Sequence, residues 1–164
     1  HQIYMERGRL THKLLDLLAK TADFKRRELG RHYLISSSTI LDQSVQNEIL
    51  NETLDVLRNP DFKKYFGPNS IAEVPVAGII EGEIDSSFIS GQIDRLVVTK
   101  KKITIIDFKT DRVPPSNPNN IPKSYMKQLS AYRLALREIY PDKSIEAVIL
   151  WTCTSKVSHL TLKS

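Results

Sequence analysis

The chain has 164 residues, a length typical of one domain that buries its own hydrophobic core. Apolar residues make up 40% and charged residues 26% of the sequence, a composition that excludes collagen, coiled-coil and disordered classes. Lysine and arginine outnumber aspartate and glutamate by 24 to 19. The resulting net charge of +5 modestly favours an anionic partner such as nucleic acid.

The sequence holds one cysteine, Cys153. A single cysteine excludes an internal disulfide, a four-cysteine zinc site and a cysteine-ligated iron–sulfur cluster, and it favours a reducing compartment. No apolar run approaches the ~18 residues of a membrane span, and no G-x-x-x-x-G-K-[ST] phosphate loop occurs. We therefore expect neither a membrane protein nor an NTP-driven motor. Because the chain starts at His1, we expect a domain cut from a longer protein.

The first 66 residues are predicted to be mainly helical. Leucines at helical spacing predict a helix over residues 8–20, and apolar residues with the same period predict another over 39–58. Asn59-Pro60 marks the end of the second helix. Between the two helices, Gly30 and the serines at 36–38 are interpreted as an interruption.

The remaining residues are predicted to build a sheet. The β-branched and apolar runs predict four strands, at 71–80, 87–98, 103–109 and 145–152. A helix is predicted over 123–140, and a proline-rich loop precedes it. Pro75 favours an edge or a bulge for the first strand, whereas the continuous apolar last strand is placed centrally. This order predicts an α/β fold in which helices flank a mixed central sheet and a helical part precedes it.

Two carboxylates are predicted to meet at one end of a hairpin. If residues 99–102 form its turn, Asp94 faces Asp107 on the neighbouring strand. Strand periodicity places Lys109 on the same face as Asp107. A cation between the carboxylates would remove their repulsion, and an oxygen-rich site of this kind suits Mg²⁺ or Mn²⁺. The alternative is an edge hairpin whose charged ends face solvent.

Four motifs resemble those of a known family. The sequence is GQIDRL at 91–96 and IDFKT at 106–110, which resembles the G-x-x-D-R-L … D-Y-K-T signature of RecB-type nuclease domains in the PD-(D/E)XK superfamily. YMKQLSAY at 125–132 resembles the family's Y-x-x-Q-L-x-x-Y helix, and GRLTHKLL at 8–15 resembles its G-x-x-x-H helix. The chain is most similar to the C-terminal nuclease domain of AddA-type helicase–nuclease subunits. The resemblance implies a restriction-endonuclease-like core.

The resemblance also implies the ligands of a metal ion. Three side chains, His12, Asp94 and Asp107, together with the backbone carbonyl of Phe108, would hold Mg²⁺, with Mn²⁺ as a substitute and no iron–sulfur cluster. Phe108 stands where the family commonly has tyrosine, a change that leaves the carbonyl in place. Lys109 is the expected catalytic lysine, which orients or deprotonates a water or neutralises phosphate charge.

Further residues are expected beside this site. Gln128 and Tyr132 share a helix face, and the resemblance implies that they hold the DNA strand or the lysine. Tyr125 and Glu73 are candidate supporting residues, although a surface position is an equal alternative for Glu73. Arg95 lies on the opposite face from Asp94 and is predicted to form a structural ion pair.

The implied function is that of a Mg²⁺-dependent deoxyribonuclease, an exonuclease or endonuclease, in double-strand break repair and recombination. Its expected partners are single-stranded DNA, a helicase domain of the same natural chain and an AddB-type subunit, in the bacterial cytoplasm near the nucleoid. Residues 1–164 are expected to form one nuclease domain, with a helical part over 1–66 and a catalytic core over 67–164. The alternatives are a non-catalytic DNA-binding or assembly module on the same fold, and a structure-specific endonuclease.

Overall fold

The computed structural model describes residues 1–81 and 86–162. Three helices form the N-terminal part: α1 (Gln2–Ala19), α2 (Asp23–Ser37) and α3 (Gln43–Arg58). Their facing sides bury a core of aliphatic side chains, which includes Leu10, Leu14, Leu18, Leu34, Ile49, Leu50 and Leu54. Burial of leucine at helical spacing stabilises the three helices against one another, and the predicted helical N-terminal part is confirmed.

The predicted interruption at Gly30 is wrong. Gly30 lies inside α2 and is buried, where an added Cβ would meet Leu50 Cδ1 at 2.6 Å and Leu18 Cδ1 at 3.2 Å. The glycine therefore lets α2 approach its neighbours closely. The helix predicted from residue 39 begins at Gln43, because the Asp42 carboxylate caps it by accepting a hydrogen bond from Val45 N at 2.9 Å.

Five strands form one mixed sheet in the order β1-β2-β3-β4-β5. The strands are β1 (Ser70–Glu81), β2 (Ser86–Val98), β3 (Lys102–Lys109), β4 (Ser144–Trp151) and β5 (Lys156–Leu160). All neighbours are antiparallel except β3 and β4, which α4 (Lys123–Ile139) connects in parallel. Pro75 lies in the edge strand β1, as predicted, and β5 has no counterpart among the predicted strands.

Helices cover both faces of this sheet. On one face, Leu129 and Leu136 of α4 pack against a cluster that includes Ile105 and Ile149. On the other, Leu15 of α1 joins a cluster with side chains of α3, β3, β4 and the 3-10 turn Pro60–Tyr65. The predicted α/β architecture is confirmed. Among the described residues, no helix is both long enough and apolar enough to span a membrane.

Candidate active site

Asp94 lies where the pairing of β2 with β3 ends. That pairing runs from Val98↔Ile103 to Arg95↔Ile106, which confirms the predicted register. Beyond it, Asp94 and Asp107 are not paired, and Asp94 Oδ2 accepts a hydrogen bond from Phe108 N at 2.7 Å. On the other side, the pairing of β1 with β2 skips Glu73 and Asp94 and resumes at Val74↔Ile93. The Asp94 side chain lines a cleft together with residues of α1.

Helix α1 brings His12 over the open end of the hairpin. Its Nδ1 lies 2.8 Å from the carbonyl oxygen of Gly8, so that nitrogen carries the proton and Nε2 points towards Asp94 Oδ2 at 3.3 Å. Burial lowers the His12 pKa. The hydrogen bond and charge of Asp94, the Gly8 carbonyl and the charge of Asp107 outweigh burial and raise the pKa to about 9. His12 is therefore a cation at neutral pH.

Asp107 is the most deeply buried carboxylate of the site, with 5% of its surface exposed. Its Oδ2 lies 2.7 Å from Lys109 Nζ, yet the angles do not satisfy a hydrogen bond and the oxygen has no hydrogen-bond partner. Burial and the charge of Asp94 raise the Asp107 pKa, against the lowering effect of Lys109 and His12. A buried carboxylate beside another carboxylate is a candidate position for a cation.

The α4 residues singled out by the sequence surround Lys109. Lys109 Nζ lies 3.4 Å from Gln128 Oε1 and 4.3 Å from the ring centroid of Tyr125. The amide of Gln128 donates to Tyr132 Oη at 3.3 Å. The ring of Tyr132 in turn lies over Gly91, where an added Cβ would come within 2.9 Å of Cε1 and collide with the hydroxyl. Gly91 therefore leaves room for the tyrosine that closes this chain of contacts.

Glu73 reaches the rim of the site. Its Oε1 lies 2.7 Å from Lys13 Nζ, an ion pair that joins β1 to α1. Its φ of 51° lies in the left-handed region, which is unfavourable for a residue other than glycine and interrupts the strand.

The predicted ion pair of Arg95 is wrong. Among the described residues, no carboxylate lies within ion-pair distance of its guanidinium. Instead, Arg95 Nε donates to the carbonyl of Tyr65 at 3.1 Å and to Ser70 Oγ at 2.8 Å, and the guanidinium lies 5.0 Å from the Phe66 ring centroid. Burial lowers the pKa of Arg95. Arg95 thus connects β2 to the turn before β1, and part of the residue lines the cleft described below.

A cleft of about 540 Å³ joins these residues. Its lining includes six predicted positions: His12, Glu73, Asp94, Phe108, Lys109 and Tyr125. The lining also includes Tyr4, Met5, Arg9, Lys13 and Asp111, for which no role was predicted from the sequence. Two of them could have been predicted from their position in the sequence. Tyr4 lies eight residues, about two helical turns, before His12, and Asp111 directly follows the IDFKT segment. The predicted site residues Asp107, Gln128 and Tyr132 lie outside this lining.

The donors of the site fit a hard divalent cation in their chemistry. Carboxylate and carbonyl oxygens are ligands that Mg²⁺ and Mn²⁺ prefer, and Asp107 Oδ2 is a buried acceptor that forms an ion pair with Lys109 but no hydrogen bond within the part of the chain that the structure describes. As they stand, no three His, Cys, Asp or Glu side chains within residues 1–81 and 86–162 form a group that could hold a metal ion. Coordination by His12 and Asp94 would replace the present 3.3 Å contact between His12 Nε2 and Asp94 Oδ2.

Comparison with known proteins finds one family. The family model "PD-(D/E)XK nuclease superfamily" matches residues 2–159. Two proteins named as subunits of an ATP-dependent helicase/nuclease are similar, one from Lactococcus lactis subsp. lactis (strain IL1403) at 24% identity and one from Oenococcus oeni (strain ATCC BAA-331 / PSU-1) at 26%. Each match covers 88% of this chain and only 12% or 13% of the relative. The chain thus corresponds to about an eighth of their length.

One solved structure, "Crystal structure of SSO0001", has a TM-score of 0.43 to this chain at 16% sequence identity. The superposition covers 96% of this chain and 77% of that chain.

Proposed function

The chain belongs to the PD-(D/E)XK nuclease superfamily, and we propose that it is a metal-dependent deoxyribonuclease domain that hydrolyses phosphodiester bonds. The observation that carries the proposal is that His12, Asp94 and Lys109, from three separate elements of the fold, line one cleft, while the buried Asp107 carboxylate lies 2.7 Å from the Lys109 ammonium. A solvated hairpin end, the alternative for the two carboxylates, would not bury Asp107.

We propose His12 Nε2, the carboxylates of Asp94 and Asp107 and the carbonyl of Phe108 as the ligands of Mg²⁺, with Mn²⁺ as a substitute. A divalent cation bound there would lower the pKa of a bound water and stabilise charge on the phosphate. Support comes from the hard donor atoms and from the buried carboxylate oxygen without a hydrogen bond. Because His12 is protonated beside Asp94, its ring must lose that proton before it can act as a ligand.

Lys109 is the proposed catalytic lysine. Its side chain, 17% exposed, lines the cleft and pairs with buried Asp107, so its ammonium can donate to an attacking water or to a phosphate oxygen. Gln128 holds the ammonium through its carbonyl, and Tyr132 holds the amide of Gln128 through its hydroxyl. Gln128 and Tyr132 are proposed to orient the lysine, in line with the role that the resemblance implies.

The proposed substrate is single-stranded DNA that a helicase delivers. The two similar proteins are named helicase/nuclease subunits, and this chain matches only a small part of each. We propose that this domain acts together with a helicase domain of the same natural chain and an AddB-type subunit. Its proposed role is in break repair, in the bacterial cytoplasm. Binding would be directed at the DNA backbone, without sequence preference, with Arg9 and Lys13 at the rim of the cleft.

A second candidate is a non-catalytic DNA-binding or assembly module on the same fold. One observation favours it: Asp94 already accepts a hydrogen bond from Phe108 N and contacts His12, so the ligands are not preassembled within the part of the chain that the structure describes. A structure-specific endonuclease is a third candidate, and the choice of DNA substrate separates it from the first.

The experiment is a cleavage assay with purified protein, labelled single-stranded DNA and Mg²⁺. We expect shortening of the DNA that EDTA stops, and loss of that cleavage in Lys109→Ala. A matched control is Lys101→Ala, since Lys101 is an exposed lysine in the turn at the other end of the same hairpin. Tight binding of DNA without cleavage by the wild-type protein would favour the non-catalytic module. Wild-type rates in Lys109→Ala would contradict the assignment of the lysine.

A further inference from the structure

The Lys109 ammonium has a third neighbour besides Asp107 and Gln128, the aromatic face of Tyr125. Nζ lies 4.3 Å from the ring centroid, well within the ~6 Å of an effective cation–π contact. Because Nζ also lies 2.7 Å from Asp107 Oδ2, the ring and the carboxylate flank the ammonium together. The contact with the ring matters because it can keep the ammonium in the cleft when a bound cation takes its place at the Asp107 carboxylate.

The Tyr125 ring is itself held from two sides. Its hydroxyl lies 3.1 Å from Oδ1 and 3.1 Å from Oδ2 of Asp111, and its ring packs against Trp151 with centroids 6.4 Å apart. Asp111 is fixed in turn, because its carbonyl oxygen accepts from Cys153 Sγ at 2.9 Å. Burial and the charge of Asp111 raise the pKa of Tyr125, so the phenol stays a donor at neutral pH.

We propose that Asp111 is a positioning residue that acts on Lys109 through Tyr125. By accepting the hydrogen bond of the Tyr125 hydroxyl, the Asp111 carboxylate fixes the ring beside the ammonium of Lys109. The ring then keeps that ammonium at the mouth of the cleft, where it can donate to the substrate. Among the described residues, no hydrogen bond or ion pair joins Asp111 to Lys109 or to the proposed metal ligands. The proposal rests on the proposed function of Lys109.

The variant Asp111→Asn distinguishes positioning through Tyr125 from a direct effect of the Asp111 charge on Lys109. Asp111→Asn keeps an oxygen that accepts from the phenol, whereas Asp111→Ala removes it. Positioning through Tyr125 predicts that kcat falls in Asp111→Ala by roughly 10- to 100-fold, the range that a misplacement of about 1 Å costs, with KM nearly unchanged. It also predicts that Asp111→Asn restores most of kcat. If Asp111 acted by its charge, asparagine would be as damaging as alanine.

A double-mutant cycle tests the route through the hydroxyl. Tyr125→Phe keeps the ring and removes the donor, so it is expected to match Asp111→Ala, and the double variant is expected to be no worse than either single variant. Losses of kcat that multiply would contradict the proposal. Tyr140→Phe is the matched control, because Tyr140 lies at the C-terminal cap of the same helix, away from Lys109.

An NMR measurement tests the position of the lysine without reference to activity. The Hε–Cε resonance of Lys109, identified by its loss in Lys109→Arg, is expected to be shifted by the ring current of Tyr125. It is expected to move towards the exposed-lysine position in Asp111→Ala and to stay in Asp111→Asn. An unmoved resonance and an unchanged kcat in Asp111→Ala would overturn the inference and leave the nuclease function intact. Absence of cleavage by the wild-type protein, with the expected shifts, would overturn the function and leave the positioning intact.

Discussion

The helical part and the sheet treat buried charge differently. In the helices, Arg7 is buried and its two Nη atoms bind Glu48 at 3.0 Å and Glu52 at 3.1 Å, with Nε alone left without a partner. In the sheet, Asp107 is equally buried, but its Oδ2 lies near Lys109 without a hydrogen bond and beside a second carboxylate, Asp94.

This difference separates the region that stabilises the fold from the proposed site of cleavage. A buried charge with hydrogen-bonded partners is tolerated, whereas two neighbouring carboxylates cost free energy unless cations offset them, as Lys109 and protonated His12 do here. The leucine core of α1, α2 and α3 stabilises the fold, and α1 also carries His12 to the sheet. The open end of the β2–β3 hairpin keeps the unfavourable charges.

The largest predicted effect compares Asp107→Asn with Leu14→Ala. Asp107→Asn is expected to lower cleavage by roughly 100-fold or more, because a proposed metal ligand is lost. It is expected to change the free energy of unfolding by less than about 1 kcal/mol, because removal of the buried negative charge offsets the lost ion pair with Lys109. Leu14→Ala opens a cavity in the helical core and is expected to cost about 2–5 kcal/mol while the folded fraction keeps its rate. Urea unfolding and cleavage at low temperature measure both. An equal loss of stability in the two variants would contradict the proposed difference between Asp107 and the helical core.

The pH dependence of metal binding sharpens the role of His12. Because its folded-state pKa is raised to about 9, a metal ion must displace a proton from the ring below that pH. Apparent Mg²⁺ affinity is therefore expected to rise by about tenfold per pH unit between pH 7 and 9 and to level off above. Calorimetric titration at several pH values checks this slope. His12→Gln is the comparison, and an equally steep slope in that variant would show that His12 is not a ligand.

The two tightly packed glycines give a smaller, paired test. In Gly91→Ala the new methyl group meets the rigid ring of Tyr132, so we expect a loss of about 1–3 kcal/mol of stability together with lower cleavage. In Gly30→Ala the new methyl group meets the flexible end of the Leu50 side chain. Because alanine has a better helix propensity than glycine, we expect the free energy of unfolding to change by no more than about 1 kcal/mol. Thermal unfolding measures the stability of the two variants, and cleavage rates measure their activity. Loss of cleavage in the folded Gly30→Ala protein would contradict the separation of the two regions.

The smallest expected effect concerns the ion pair that joins the regions at the rim. Lys13 and Glu73 are 51% and 37% exposed, and pairs of this kind contribute about 0–1 kcal/mol. Lys13→Gln is therefore expected to change the free energy of unfolding by less than about 1 kcal/mol in urea titrations. A loss above about 2 kcal/mol would show that the helices depend on this contact to stay on the sheet.

The hairpin could be predicted from the sequence because its information is local. A short turn and a period of two residues determine which residues pair, and the predicted register holds from Val98 to Arg95. The opening of the ladder at Asp94 could not be predicted, since it depends on a hydrogen bond to Phe108 N and on the left-handed backbone of Glu73. Both are set by contacts between strands.

In the helical part, too, features that depend on tertiary contacts could not be predicted from the sequence. Gly30 favours an interruption in any isolated segment, and the close approach of Leu18 and Leu50 that makes glycine suitable there is a tertiary contact. Likewise, the helical pattern around His12 indicated no role for this residue, and only the family resemblance did. Its approach to Asp94 depends on how α1 packs on the sheet. The ion pair predicted for Arg95 is wrong for the same reason.

The central claim is that Asp94, Asp107 and His12 form one cation site at the open end of the hairpin. A crystal of the protein soaked in Mn²⁺ and measured at a wavelength with anomalous signal tests it directly. We expect an anomalous peak within coordinating distance of all three side chains, with the His12–Asp94 contact opened to admit the ion. A peak elsewhere, or none at these residues at a Mn²⁺ concentration that supports cleavage, would contradict it.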